Sequence, residues 1–261
     1  MWAYDIEWAP DPEAIRPLIG CSDGMTNEEV VAAAYQRQRD MKSLQDERPY
    51  LHTPLCSIAS MAVVVRTRAV DGNAVSVKLR STLSRDCGES VLLKEFLGAL
   101  AKTTPQLVGW NSSQADWWIL VQRACRYGLS FPGLARPAKP WEGADYFDAR
   151  NGSHQVDLKQ CLGPMGRSSA SLEEMAACFG IPCKVEASGE DVATLVAEGK
   201  HAEVLRYNEQ DALTTFLVWL RAAHFVGLVK EPRQDYDQVL ALVEDKPHLH
   251  CFREACRTTA P

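Results

Sequence analysis

The sequence predicts an α/β domain in which a mixed β-sheet is flanked by helices. Short apolar, β-branched runs alternate with longer stretches of helical period, in the order strands, helix, strand, helix, loop, helices. Two capping boxes, Thr26-x-x-Glu29 and Ser171-x-x-Glu174, mark helix starts. The longest helical pattern, from about Lys200 to Val226, comes late in the chain.

Taken in order, the chain enters as an apolar strand around Trp2 to Ile6. Thr26 opens a helix to about Asp46, and the Gln, Arg and Asp of its second half place it on the surface. Cys56–Arg68 and Ala74–Arg80 read as two strands joined by the hairpin Asp71-Gly72-Asn73. Apolar residues from Val91 to Leu100 recur at helical spacing. Leu107-Val108 form a strand, followed by Gly109 and a helix running to about Tyr127. Ser130 to Trp141 holds three prolines and is a loop. Val156-Asp157-Leu158 is a further strand, and Gly180 closes the helix that Ser171 opens. Ser188-x-x-Asp191 begins a short helix. After Pro232 the chain reads as peripheral, so the expected division is a main domain over 1–230, with a helical insertion at 26–52, and a C-terminal extension over 231–261.

Composition narrows the function classes. The 261 residues are 46% apolar and 24% charged, which suits a globular core. A net charge of −6 argues against a protein that coats nucleic acid by broad electrostatics. It does not argue against a nuclease, whose carboxylates are neutralised by bound cations. The nine cysteines include no Cys-x-x-Cys and read as free thiols in a reducing compartment. His248, His250, Cys251 and Cys256 match no common zinc spacing. Asp5 interrupts the apolar run that a secretory signal needs, and Ile58 to Val65, the longest apolar stretch, is strand-length. A cytoplasmic protein without a membrane span is expected.

Three places in the sequence bear acids suited to chemistry. In Tyr4-Asp5-Ile6-Glu7, residues two apart on a strand share a face, so Asp5 and Glu7 present adjacent carboxylates. Such a pair is costly unless a cation lies between, and oxygen ligands suit Mg²⁺ or Mn²⁺. Alone, the pair also reads as a solvated strand end. Asn111 and Asp116 follow the turn after Leu107-Val108-Gly109, where Asp116 could simply complement a helix N-terminus. Tyr207 and Asp211, four apart, share a helix face beside the apolar stripe of Leu205, Leu213, Phe216, Leu217 and Leu220.

Together, in this order, the three motifs resemble the DEDD exonucleases in their tyrosine-containing branch. The chain is most similar to predicted 3′→5′ exonucleases related to the proofreading domain of B-family DNA polymerases. Tyr4 through Asp11, His154 through Leu158, Ser171 through Glu174, Gly180 through Lys184 and Tyr207 through Arg221 bear the likeness, which runs from Met1 to about Leu228. Trp8 stands where the family has Thr, Ala115 where an aromatic precedes the second-motif acid, and Cys183 where it has Gly. The rival branch has His five residues before the last acid, where this chain has Arg206.

The resemblance implies a ribonuclease H-like fold and a metal-dependent hydrolase. By the same resemblance, such an enzyme would release nucleoside 5′-monophosphates from the 3′ ends of nucleic acid, with single-stranded DNA favoured over RNA. Two divalent ions, Mg²⁺ or Mn²⁺, would be held by Asp5, Glu7, Asp116 and Asp211. Ions about 4 Å apart stabilise the attacking and leaving oxygens of an in-line displacement. Tyr207 would position water rather than abstract its proton, since a free phenol has a pKa of about 10. Trp8, Trp110, Asn111 and Lys184 are candidate substrate contacts, with Trp117 and Trp118 as further stacking candidates. Asp157 is expected to be structural. The competing reading is a non-catalytic nucleic-acid-binding protein on the same fold.

Overall fold

A computed structural model describes residues 1–20, 24–42, 48–69, 74–134, 145–147, 154–163, 169–182 and 192–258. Strand β1 (Trp2–Pro10) leads into α1 (Pro12–Ile19) and α2 (Asn27–Lys42). Strands β2 (Cys56–Arg68) and β3 (Val75–Leu83) follow, then α3 (Ser84–Cys87), α4 (Glu89–Thr103), β4 (Leu107–Gly109) and α5 (Asp116–Arg126). The chain continues through β5 (Gln155–Asp157), α6 (Leu158–Leu162), α7 (Leu172–Cys178), α8 (Val192–Ala197) and α9 (His201–Phe225). It ends in α10 (Arg233–Val243) and α11 (Phe252–Thr258).

The five strands form one sheet in the order β3-β2-β1-β4-β5. The β1–β2 and β2–β3 pairs are antiparallel, whereas β4 runs parallel to both β1 and β5. This is the mixed α/β sheet, flanked by helices, of the ribonuclease H-like type. Alternation along the strands feeds two cores. Ala3, Ala62 and Val64 pack against α9 on one face, and Tyr4, Ile6, Met61 and Val63 pack against α4 and α5 on the other. Asp5 and Glu7 keep the parity of Ala3 and so belong to the α9 face.

Local signals explain the boundaries. Both capping boxes form: Glu29 N–H donates to Thr26 Oγ1 at 3.2 Å and Thr26 N–H to Glu29 Oε2 at 2.7 Å, with the same reciprocal pair at Ser171 and Glu174. Strand β1 runs past the expected Ile6 to Pro10 because β2 pairs with it that far, with a register shift between Glu7 and Trp8. The shift leaves Ala59 as an extra residue of β2, and such bulges re-aim neighbouring side chains. Asp11 N-caps α1 by accepting from Glu13 N–H at 3.0 Å. The Asp71–Asn73 hairpin, Ser188 to Asp191 and most of the proline-rich loop lie outside the described residues.

One expectation is corrected. The segment after Pro232 is not peripheral: Tyr236, Val239, Val243, Leu249, Phe252 and Cys256 are buried in the same core as α9. Arg66 fastens it, donating through Nε to Asp235 Oδ1 at 2.5 Å and through Nη2 to Oδ2 at 3.0 Å, with Asp235 fully buried. Asp235 binds the segment to the sheet, and Lys246 and His248 bind it to Glu209 of α9.

Candidate active site

Parallel strands β1, β4 and β5 end at the same side of the sheet, where ligand sites of open α/β sheets form. A cleft of about 860 Å³ opens there, lined by Asp5, Glu7, Trp8, Trp110, Asn111, Asp116, Tyr207 and Asp211. Tyr35 of α2, Arg48 and Tyr50 after it, and Thr194 of α8 line it as well. Arg48 Nη1 donates to Thr194 Oγ1 at 2.5 Å, joining the 26–52 region to α8.

Carboxylate oxygens of Asp5, Glu7 and Asp211 all lie within 4.8 Å of one another. Asp5 and Asp211 are partly exposed and Glu7 is buried. Three acids so close repel one another, and a hard divalent cation offsets that repulsion. The donor set, all oxygen and partly open to the cleft, fits such an ion. Among the described residues no other set of histidine, cysteine and acid side chains gathers this way. The tail residues His248, His250, Cys251 and Cys256 therefore form no metal cluster; His248 instead meets Glu209 at 2.6 Å.

Asp116 lines the same cleft but stands outside the three-acid group. It is buried, and burial pushes its carboxyl up to about 7; its own N–H and that of Ile6 pull it down, while Asp157 raises it further. Asp157 is structural, as expected. It accepts from the N–H groups of Asn111 (2.9 Å) and Ser113 (3.1 Å) and from Ser113 Oγ (2.6 Å), and it caps α6 through Lys159 N–H at 3.1 Å. These bonds hold the loop between β4 and α5, where Asn111 adopts a left-handed φ of 57°. Gly109 is required at the start of that loop: a Cβ there would lie 2.4 Å from Ser112 Cβ.

The aromatic candidates separate. Trp8 and Trp110 are half-buried in the cleft wall. Trp117 is buried in the core beside Tyr146 and Phe147. Trp118 is exposed, with Nε1 donating to Ser113 O at 2.9 Å, and does not line the cleft. Lys184 lies outside the described residues. Arg206 is exposed and does not line the cleft.

Reasoning from sequence missed Asn208. It is fully buried on α9, donates through Nδ2 to Asp5 Oδ2 at 2.6 Å and accepts from Ser60 Oγ at 3.0 Å. A signal existed, because Val204, Asn208, Ala212 and Thr215 follow one buried helical stripe in which an amide is out of place. It also missed Arg123, buried between Asp11 (2.6 Å) and Glu89 (2.5 Å), which ties α5 to the end of β1 and to α4. No local pattern marks those three distant residues.

Comparison with known proteins agrees with this geometry. The family described as predicted 3′-5′ exonucleases related to the exonuclease domain of PolB matches residues 48–256. The match begins after Asp5 and Glu7, so the pairing of those acids with Asp211 is an independent structural observation. No curated protein matches the chain. A family B DNA polymerase from the hyperthermophilic archaeon Pyrobaculum calidifontis is similar in structure, with a TM-score of 0.50 and 16% identity. The similarity covers 97% of this chain and 26% of the polymerase chain, and it bears on the fold. With most of its length matched and the acid cluster assembled at the strand ends, the chain belongs to the family of predicted 3′-5′ exonucleases related to the exonuclease domain of PolB.

Proposed function

We propose that this protein is a divalent-metal-dependent 3′→5′ exonuclease that removes nucleoside 5′-monophosphates from single-stranded DNA ends. The observation that supports it most is the gathering of the Asp5, Glu7 and Asp211 carboxylates within 4.8 Å in an open cleft. These three would hold one ion, and Asp5 with Asp116 a second. When bound, such ions supply charge stabilisation to the attacking and leaving oxygens at phosphorus. Asp116 must lose its proton to join them, and a nearby dication favours that ionisation.

The protein's own groups do the remaining work. Tyr207, on the α9 face that bears Asp211, orients the attacking water through its hydroxyl. Trp8 and Trp110 line the cleft with the acids and offer faces to unpaired terminal bases, and Tyr35 and Tyr50 of the same cleft extend that bed. Asn111, which lines the cleft, would contact the terminal sugar. A cleft walled on both sides favours a single strand over a duplex. No described helix is long and apolar enough to cross a membrane, and the described cysteines are free thiols. The latter supports a reducing, cytoplasmic setting.

The test is an end-labelled oligonucleotide incubated with Mg²⁺ or Mn²⁺, DNA and RNA in parallel, with Asp5→Ala as the control. Stepwise shortening from the 3′ end of DNA, absent in the variant, is expected. Cleavage that Asp5→Ala retains, or none in either metal, would refute the reading. Faster RNA shortening would reassign the substrate.

A further inference from the structure

We propose that Asn208 is a positioning residue whose side-chain amide sets the plane of the Asp5 carboxylate for cation binding. The inference rests on the exonuclease reading above. Asp5 on β1 and Asn208 on α9 are joined by a 2.6 Å bond from Nδ2 to Oδ2, and Asn208 Oδ1 accepts from Ser60 Oγ on β2 at 3.0 Å. The orientation of the amide is forced. An ionised carboxylate only accepts, so the NH₂ must face Asp5; the amide oxygen then faces Ser60, whose hydroxyl must donate. Asn208 and Ser60 are both fully buried, where an unmade bond is expensive.

The terminal torsion of an aspartate is broad, so packing alone does not fix its carboxylate plane. A buried donor anchored at its other end does. The donor is also neutral. A guanidinium or ammonium in its place would cancel the charge that attracts a dication, whereas an amide orients Asp5 and leaves its charge intact. Partners of this kind behind a metal ligand are worth about 10–100-fold in affinity or activity.

The helix turn bearing Asn208 is also pinned through the neighbouring residue. Glu209 is buried and meets Lys246 Nζ at 2.8 and 3.0 Å and His248 Nε2 at 2.6 Å, and it accepts a hydrogen bond from Ser81. Gln210 Nε2 donates to His248 O at 2.8 Å. The amide therefore has a fixed base from which to hold Asp5.

The experiment uses the full chain, stripped of metal, titrated with Mn²⁺ in a calorimeter alongside turnover measurements. Asn208→Leu keeps the volume and deletes the amide, and Ser60→Ala keeps the amide but frees one end. Expected are a 10–100-fold loss of Mn²⁺ affinity in Asn208→Leu, with turnover partly recovered at high Mn²⁺, and a smaller loss in the same direction in Ser60→Ala. A merely structural residue would lower the melting temperature and leave the affinity of the folded protein unchanged. Wild-type affinity in folded Asn208→Leu overturns the proposal; should that variant not fold, wild-type affinity in Ser60→Ala overturns it. If the unmodified protein binds Mn²⁺ no better than Asp5→Ala does, the exonuclease reading falls as well.

Discussion

Away from the cleft, buried acids sit against cations or donors: Asp11 and Glu89 against Arg123, Asp235 against Arg66, Glu209 against Lys246, and Asp157 against backbone N–H groups. In the cleft, Asp5, Glu7 and Asp211 are in addition brought against one another, although Asp5 also accepts from Asn208, and Asp116 is buried with its carboxyl pushed up to about 7. The first arrangement holds the fold together, since breaking a buried pair strands a charge. The second works against folding until a cation arrives. The difference separates acids kept for stability from acids kept for chemistry, and it predicts opposite responses to mutation.

The largest effect is expected at the cleft. Glu7→Gln should lower turnover on the order of 10²–10³-fold without lowering the melting temperature of the metal-free protein. A drop of more than a few degrees would move Glu7 into the structural group. Asp235→Ala should do the reverse. It leaves Arg66 without its partner and should cost about 3–5 kcal/mol, read by denaturant unfolding, while turnover at low temperature is kept. Tyr207→Phe should reduce turnover about 10–100-fold with Mn²⁺ affinity unchanged, and a parallel loss of affinity would defeat its positioning role.

The smallest effect concerns Asp116 in chelator. Its carboxyl is raised in the fold, so its contribution to stability is full below the unfolded value of 3.8 and is lost as pH rises through about 7. Asp116→Asn should therefore melt a few degrees higher than the unmodified protein above pH 7, with the gap closing toward pH 4. A gap that does not change with pH would mean that the burial cost of Asp116 is met in some other way.

Much of the architecture was legible because its signals are local. The Asp5–Glu7 alternation, the Gly109 turn and the Ser171 capping box each occupy a few consecutive residues and fold as read. Tyr207 and Asp211 were legible because a spacing of four fixes a helix face. What escaped is what depends on residues far apart. Asn208 acquires its meaning only when β1 and β2 arrive beside α9. Arg123 and Arg66 look like surface cations until the sheet buries them. Asp116 stands outside the group of the other three acids at the end of a loop that Asp157 holds, and no spacing encodes that.

The Arg66–Asp235 fastening sets how short this protein can be made. Ending the chain near residue 230 would strip the Arg66 guanidinium of its carboxylate, uncover the core that Tyr236, Val239 and Phe252 complete, and remove the lysine and histidine that hold Glu209. Any minimal version has to extend through the last helix, although every acid of the cleft lies well before it.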